Sequence, residues 1–296
     1  MYILFDIGGT NMRIACSKDG LTLDAVETLS TPAVYEEGVR LFAETTRRLL
    51  ESAGGIEGGA GSREISAVVG GIAGPLNHEK TMLVGGANLG DWVGKPFAQD
   101  VAAALNPTDS VSGASVPIYL QNDAAMVGLG EAVHGAGRGN GIVMYMTIST
   151  GVGGARIVHG KVDEASIGFE PGNQIIDADK TMMPGAAGVT LQDYISGKSL
   201  MLMTGKKPKE ITDPKFWDDM ARVLAIGINN TIVHWSPDVV VLGGSMITGD
   251  PAIPVDATER YLHEMLKVYP QLPPVKKSEL GDHGGLWGAL EYAKTL

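Results

Sequence analysis

Three polar stretches stand at the ends of apolar runs, where side chains could do chemistry. The first is Asp6-Ile7-Gly8-Gly9-Thr10-Asn11, which ends the run beginning at Tyr2. Glycines let backbone N–H groups come close to an anion, and Thr10 and Asn11 add side-chain donors. Asp6 cannot bind phosphate directly, since both are negative, but a carboxylate can hold a hydrated Mg2+ that bridges phosphate oxygens. The same residues would also serve a plain β-hairpin turn. The second stretch, Ser149-Thr150-Gly151-Val152-Gly153-Gly154, follows the run 141–148 and again offers hydroxyls and glycines. The third is Gln121-Asn122-Asp123. A carboxylate there can take the proton of a hydroxyl that attacks phosphorus, or Asp123 can simply cap the helix that follows.

Two further stretches carry weaker signals. Glu170-Pro171-Gly172-Asn173-Gln174 sets a carboxylate and two amides in one loop, a donor and acceptor set that suits a sugar or polyol and equally suits solvent. Gly243-Gly244-Ser245, after an apolar VVVL, could admit a flat base against the backbone or merely end a strand. Other phosphate signatures fail: GARIVHGKV has the wrong P-loop spacing and no Ser or Thr after Lys161, and GVGGAR puts Arg156 where a dinucleotide fingerprint needs glycine. The six histidines show no metal-ligand spacing.

The elements that must position these residues follow from periodicity. Residues 2–7 and 12–17 read as paired strands, 35–53 as a helix with Val39, Phe42, Leu49 and Leu50 on one face, and 54–64 as a Gly-rich loop. A strand over 65–69 runs into a turn, GGIAGPLN; 119–123 is a strand leading into a small-residue helix. Strand, Gly-rich turn, strand then recurs from residue 141, which reads as an internal duplication. A helix over 216–235, a strand over 239–242 and a final helix over 284–293 complete an α/β chain of two lobes. The expected lobes are 1–122, with the terminal helix 284–296 packing back on it, and 123–283.

With 296 residues, 44% of them hydrophobic and 19% charged, the chain can bury a sizeable core. A net charge of −11 argues against a nucleic-acid grip, which needs clustered Lys and Arg. Cys16 is the only cysteine, which excludes an internal disulfide and a cysteine-cage zinc site. No apolar run approaches the ~18 residues of a membrane span, and no signal segment opens the chain, so the expected location is cytoplasmic.

Taken together and in order, these motifs resemble the sugar kinases of the ROK family, within the hexokinase/actin/Hsp70 superfamily. DIGGTNMR resembles its first phosphate motif, TISTGVGGARIVHGK its second, GGIAGPLNHE its G-x-PG turn and GGANLGDW its sugar-side segment. QNDAAMVGLGEAVHGAG resembles the catalytic block, VVVLGGSM the adenosine motif, and LGDHGGLWGALEYA the terminal helix. The resemblance implies a two-lobed actin-like ATPase (ribonuclease H-like) fold with duplicated β-sheet lobes and an interlobe cleft. It implies an ATP:sugar phosphotransferase of the hexokinase, glucokinase or fructokinase type, acting on glucose, fructose or an N-acetylhexosamine, with ATP and Mg2+, in a homodimer.

Carried over by residue, the resemblance makes Asp123 the general base and Asn122 its sugar-binding neighbour, with Asn88, Glu170, Asn173 and Gln192 on the sugar. Asp6, Gly8, Gly9, Thr10, Asn11, Thr150, Gly151 and Gly153 would handle phosphate and Mg2+, Asp6 through bound water; Gly243 and Gly244 would border the adenosine. There are departures. Asn173 stands where the family has the His of GE-x-GH, Gln192 stands where it usually has a Glu, and the family's zinc-binding cysteine cluster is missing. The alternatives are a sugar-binding or catalytically degraded relative and a kinase of a non-hexose acceptor. Some relatives are repressors with an N-terminal helix-turn-helix, but here the DIGGT-like motif starts at residue 6 and the charge is unfavourable for DNA.

Overall fold

A computed structural model describes residues 1–52, 65–86, 89–105, 115–163 and 168–296. Asn88 and the Gly-rich stretch 54–64 lie outside the described residues. In chain order the elements are β1 (Tyr2–Ile7), β2 (Asn11–Ser17), β3 (Ala25–Ser30), α1 (Tyr35–Ser52), β4 (Ala67–Ile72), α2 (Phe97–Leu105), β5 (Ile118–Asn122) and α3 (Asp123–Val133). There follow β6 (Ile142–Ile148), β7 (Val152–Val158), β8 (Lys161–Val162), α4 (Leu191–Ile195), α5 (Gly197–Thr204) and α6 (Pro214–Trp235). The last are β9 (Val239–Gly243), α7 (Ser245–Thr248), α8 (Val255–Met265), β10 (Val275–Lys277) and α9 (Gly284–Ala293).

The chain forms two compact units, Met1–Gly130 with Asp282–Leu296, and Glu131–Gly281. The division falls inside α3. Each unit has one five-stranded sheet, in the orders β3-β2-β1-β4-β5 and β8-β7-β6-β9-β10. In the first, β1 is antiparallel to β2 and parallel to β4; in the second, β6 is antiparallel to β7 and parallel to β9. One topology is thus used twice, which is the duplication the two glycine turns announce. No described helix is long and apolar enough to cross a membrane.

Central strands covered on both faces read as near-continuous apolar runs, as β9 does and as β1 does up to Asp6. In the first unit Ile3, Phe5 and Ile7 point into a core with Phe42, Trp92 and Phe97, where the Phe5 and Phe42 rings meet edge-on at 5.4 Å. Complete burial of one such side chain is worth roughly 1.5–3 kcal/mol. The second core gathers Met144, Leu191, Tyr194, Trp217, Leu224 and Leu242.

The units divide at Gly130 and not at 122, Asp123 opens α3 and does not end β5, and two further differences lie at glycines. Gly70, Gly71 and Ile72 continue β4 instead of turning, because packing needs the absent side chains. A Cβ at Gly70 would stand 2.1 Å from the Phe5 carbonyl oxygen. The second glycine turn is also shorter than it reads: Val152, Gly153 and Gly154 already pair in β7, leaving Ser149–Gly151 as the bend.

Candidate functional site

In the first unit, strand register assembles the site. Asp6 lies opposite Arg13 on β2 and opposite Gly71 on β4, and Gln121 lies opposite Gly71 on β5. Gly71 is the empty place in this row. A Cβ there would stand 2.9 Å from the Asp123 Cα and 3.1 Å from the Met126 side chain. Asp6 and Asp123, far apart in sequence, thus flank one glycine.

Asp6 is buried and receives a hydrogen bond from Arg13 Nη1 at 3.4 Å. Its carboxyl is pushed up to about 7, by burial first and the charge of Asp123 second, with Arg13 opposing both. Asp123 is half-buried, and desolvation raises its carboxyl above the usual range against hydrogen bonds from the Ala124 and Asp123 amides. Two close carboxyls with one neighbouring guanidinium are short of positive charge, so Asp6 and Asp123 fit a hydrated divalent cation.

The residue that caps α3 is Asn122. Its Oδ1 accepts from the Ala125 amide at 3.2 Å, and its Nδ2 donates to the Gly74 carbonyl at 3.2 Å. Capping by Asn122 answers the alternative reading of Asp123 as the cap. Gln121 accepts from Lys80 Nζ at 3.0 Å.

The first glycine turn is a tied hairpin. The Gly8 amide donates to the Asn11 carbonyl at 2.8 Å; the Gly8 carbonyl accepts from Thr31 Oγ1 at 2.7 Å and the Thr10 carbonyl from the Thr31 amide at 2.9 Å. Thr31 thereby occupies carbonyls, the groups that would repel an anion, while Gly9 and Thr10 stay exposed. The stretch is a hairpin turn, and its exposed face leaves room for the phosphate expected there.

In the second unit two stretches converge on the second turn. Ser149 Oγ and Ser245 Oγ lie 3.1 Å apart, joining the turn to the end of β9. There Gly244 adopts φ +86°, where a Cβ would stand 2.3 Å from the Ile148 carbonyl oxygen. The Gly197 amide donates to the Ser149 carbonyl at 2.7 Å and the Lys198 amide to the Thr150 carbonyl at 3.4 Å, which docks the start of α5 on the turn.

The residues expected on the sugar form a polar chain. Gln192 Nε2 donates to Asn173 Oδ1 at 2.9 Å, and Asn173 Nδ2 donates to Glu170 Oε2 at 3.2 Å. Gln192 Oε1 lies 3.7 Å from where a Gly151 Cβ would be. Glu170, Asn173, Gln192 and the Thr150–Gly151 turn are therefore one neighbourhood, and the two residues that depart from the family pattern are hydrogen-bonded to each other.

Residues 2–296 match the ROK family. The chain belongs to that family. Among ROK relatives, the N-acetyl-D-glucosamine kinase of Escherichia coli O127:H6 is 27% identical over 98% of this chain and 98% of its own. The ROK hexokinase of Thermus thermophilus superposes with a TM-score of 0.76 at 24% identity, over 99% of this chain and 98% of that one. A ROK glucokinase from Streptomyces griseus, solved with glucose and AMPPNP, also gives 0.76 at 21% identity, over 100% of this chain and 99% of that one. The duplicated, actin-like α/β fold expected from the motifs is the fold found.

This ROK chain lacks the cysteine cluster, and Asp177 organises the segment before α4. Asp177 Oδ2 accepts from the Met182 amide and from Tyr194 Oη, each at 2.7 Å, and those donors hold its carboxyl below the usual range against desolvation. Among the described residues no three His, Cys, Asp or Glu side chains group as a metal site.

Sequence reasoning missed Arg13, Asp282 and Gly285, which surround Asp6. Arg13 was within reach: a hairpin turning on Gly9-Thr10 sets Asp6 opposite Arg13. Nothing local in the sequence announces Asp282 or Gly285.

Proposed function

We propose that this protein transfers the γ-phosphoryl group of ATP to a hydroxyl of a hexose such as glucose, fructose or an N-acetylhexosamine. The observation that carries the reading is the pairing of Asp6 and Asp123 across Gly71, next to a glycine turn whose carbonyls are tied back. The kinase names of the ROK relatives support the reaction class.

Asp123 is the general base. Freed from capping by Asn122, its carboxylate accepts the proton of the sugar hydroxyl as that oxygen attacks phosphorus. Its burial strengthens it as a base at the cost of a larger protonated fraction. Glu170 accepts hydrogen bonds from sugar hydroxyls, and Asn173 and Gln192 orient it while offering amide donors and acceptors of their own. Asn122 and Asn88 complete the sugar contacts.

Gly8, Gly9, Thr10 and Asn11 in the first unit and Thr150, Gly151 and Gly153 in the second receive the phosphates; Gly243 and Gly244 leave space for adenosine. Mg2+, when bound, neutralises phosphate oxygens, with Asp6 holding one of its waters. Exclusion of water limits ATP hydrolysis. The protein is proposed to act in the cytoplasm as a homodimer.

A coupled ADP-release assay with Mg-ATP over hexoses, ketoses and aminosugars tests this. The reading expects release stimulated by at least one hexose. Absence of stimulation across the whole panel would favour a sugar-binding or degraded relative, and stimulation by a non-hexose alone would move the acceptor class.

A further inference from the structure

The terminal stretch from Asp282 to Ala293 has no part in the chemistry above, yet it delivers one group to Arg13 and one to Asp6. Asp282 Oδ1 lies 3.1 Å from Arg13 Nη2, and the other arm of that guanidinium, Nη1, lies 3.4 Å from Asp6 Oδ2. Behind the carboxyl comes the first turn of α9. A Cβ at Gly285 would stand 2.7 Å from Asp6 Cγ and 3.0 Å from its Oδ1. Asp6 is thus held from one side by a charged donor and from another by bare backbone.

A guanidinium is a rigid planar fork, so two carboxylates on its two arms fix its orientation. The Arg13 side chain is only 13% exposed and that of Asp282 is 86% exposed. Core packing therefore does not account for Asp282, which pairs with Arg13. An ammonium in place of the guanidinium would reach one carboxylate but not hold both in set directions.

We propose that Arg13, aimed by Asp282, is a positioning residue that fixes the Asp6 carboxylate in the direction from which it holds the water of a divalent cation. This rests on the reading of Asp6 as the cation's partner. The terminal segment thereby belongs to the phosphoryl-transfer machinery, in addition to closing the first unit. Partners that orient a metal-binding carboxylate typically change metal affinity or activity by about 10- to 100-fold.

The test is Mn2+ binding to the full chain with ADP, followed by electron paramagnetic resonance, alongside kcat and the sugar KM. Arg13→Met should weaken Mn2+ binding by about 10-fold or more and lower kcat with little change in sugar KM. Arg13→Lys should recover part of both, and Asp282→Asn should move both the same way by less. Arg13→Met with unchanged Mn2+ affinity and kcat overturns the proposal. So does tighter Mn2+ binding, which would make Arg13 a competitor of the cation. If Arg13→Met does not fold, the exposed Asp282→Asn decides, and wild-type behaviour in that variant counts against the proposal. Asp6→Asn separates the underlying reading: Mn2+ affinity unchanged there removes the metal role of Asp6, whatever Arg13 does.

Discussion

Asp123 lies close enough to Asp6 for its charge to help push the Asp6 carboxyl up to about 7, its backbone passing over Gly71, the residue opposite Asp6 on β4. Like charges are not brought together in a buried place without cost. A bound cation would offset that cost, and the first two predictions below follow from this pair; the other two concern the second unit.

Stability should depend on pH through Asp6. An unfolded Asp titrates near ~3.9, and the folded carboxyl is raised to about 7. The folded chain therefore holds this proton more tightly. Its contribution is fully present below about pH 4 and is lost as pH rises through about 7, a loss of roughly 2–4 kcal/mol. Urea unfolding of the metal-free protein at pH 5 and pH 8 should show the loss, and Asp6→Asn should abolish most of it. An equal pH dependence in both proteins would assign the effect elsewhere. Activity should rise over the same interval, as the Asp6 carboxyl becomes ionised.

Gly285→Ala should damage function through Asp6. The added methyl must displace either the Asp6 carboxyl or α9, and overpacking of this kind costs about 1–3 kcal/mol. Thermal unfolding should show that loss, with kcat falling further than stability explains. A variant with wild-type kcat would show that Asp6 tolerates a shift in position.

The amide pair should act as a unit. Asn173→Ala removes both the acceptor for Gln192 and the donor to Glu170. Sugar KM should rise by about 10-fold while ATP KM stays nearly constant, and Gln192→Ala in that background should add less than it does alone. Strict additivity in the double-mutant cycle would mean the two residues serve separately.

Glu131 is a structural carboxylate within the second unit. It is fully buried and accepts from the amides of Ala136 at 2.9 Å, Glu279 at 3.0 Å and Leu280 at 2.8 Å. Glu131→Ala strands those donors and should cost about 3–5 kcal/mol in urea unfolding. Glu131→Gln, which keeps one acceptor oxygen, should cost less. Equal stability of all three proteins would show that water replaces the carboxylate freely.

How far the molecule could be read from its sequence depended on how local each signal was. Period-two and period-3.6 patterns placed β1, β2, α1, β6, α6 and α9, because burial of one face writes itself into neighbouring residues. The duplication was visible because both copies keep a glycine turn after an apolar strand. Gly70 and Gly71 misled, since a glycine that serves packing against Phe5 and Asp123 looks the same as one that serves a turn. Asp6, Asp123 and Glu170 stood out as carboxylates at strand ends or in a polar loop. Neither the hydrogen bond between Asn173 and Gln192 nor the approach of Gly285 to Asp6 could be read, because each joins segments that only the folded chain brings together.

The account turns on Asp123 as the base. Its most direct test is sugar-dependent ADP release by Asp123→Ala, measured beside nucleotide binding. The expected result is a loss of turnover of about 100- to 10,000-fold with ATP affinity nearly intact. A variant that binds ATP normally and keeps most of its sugar-dependent turnover would contradict it.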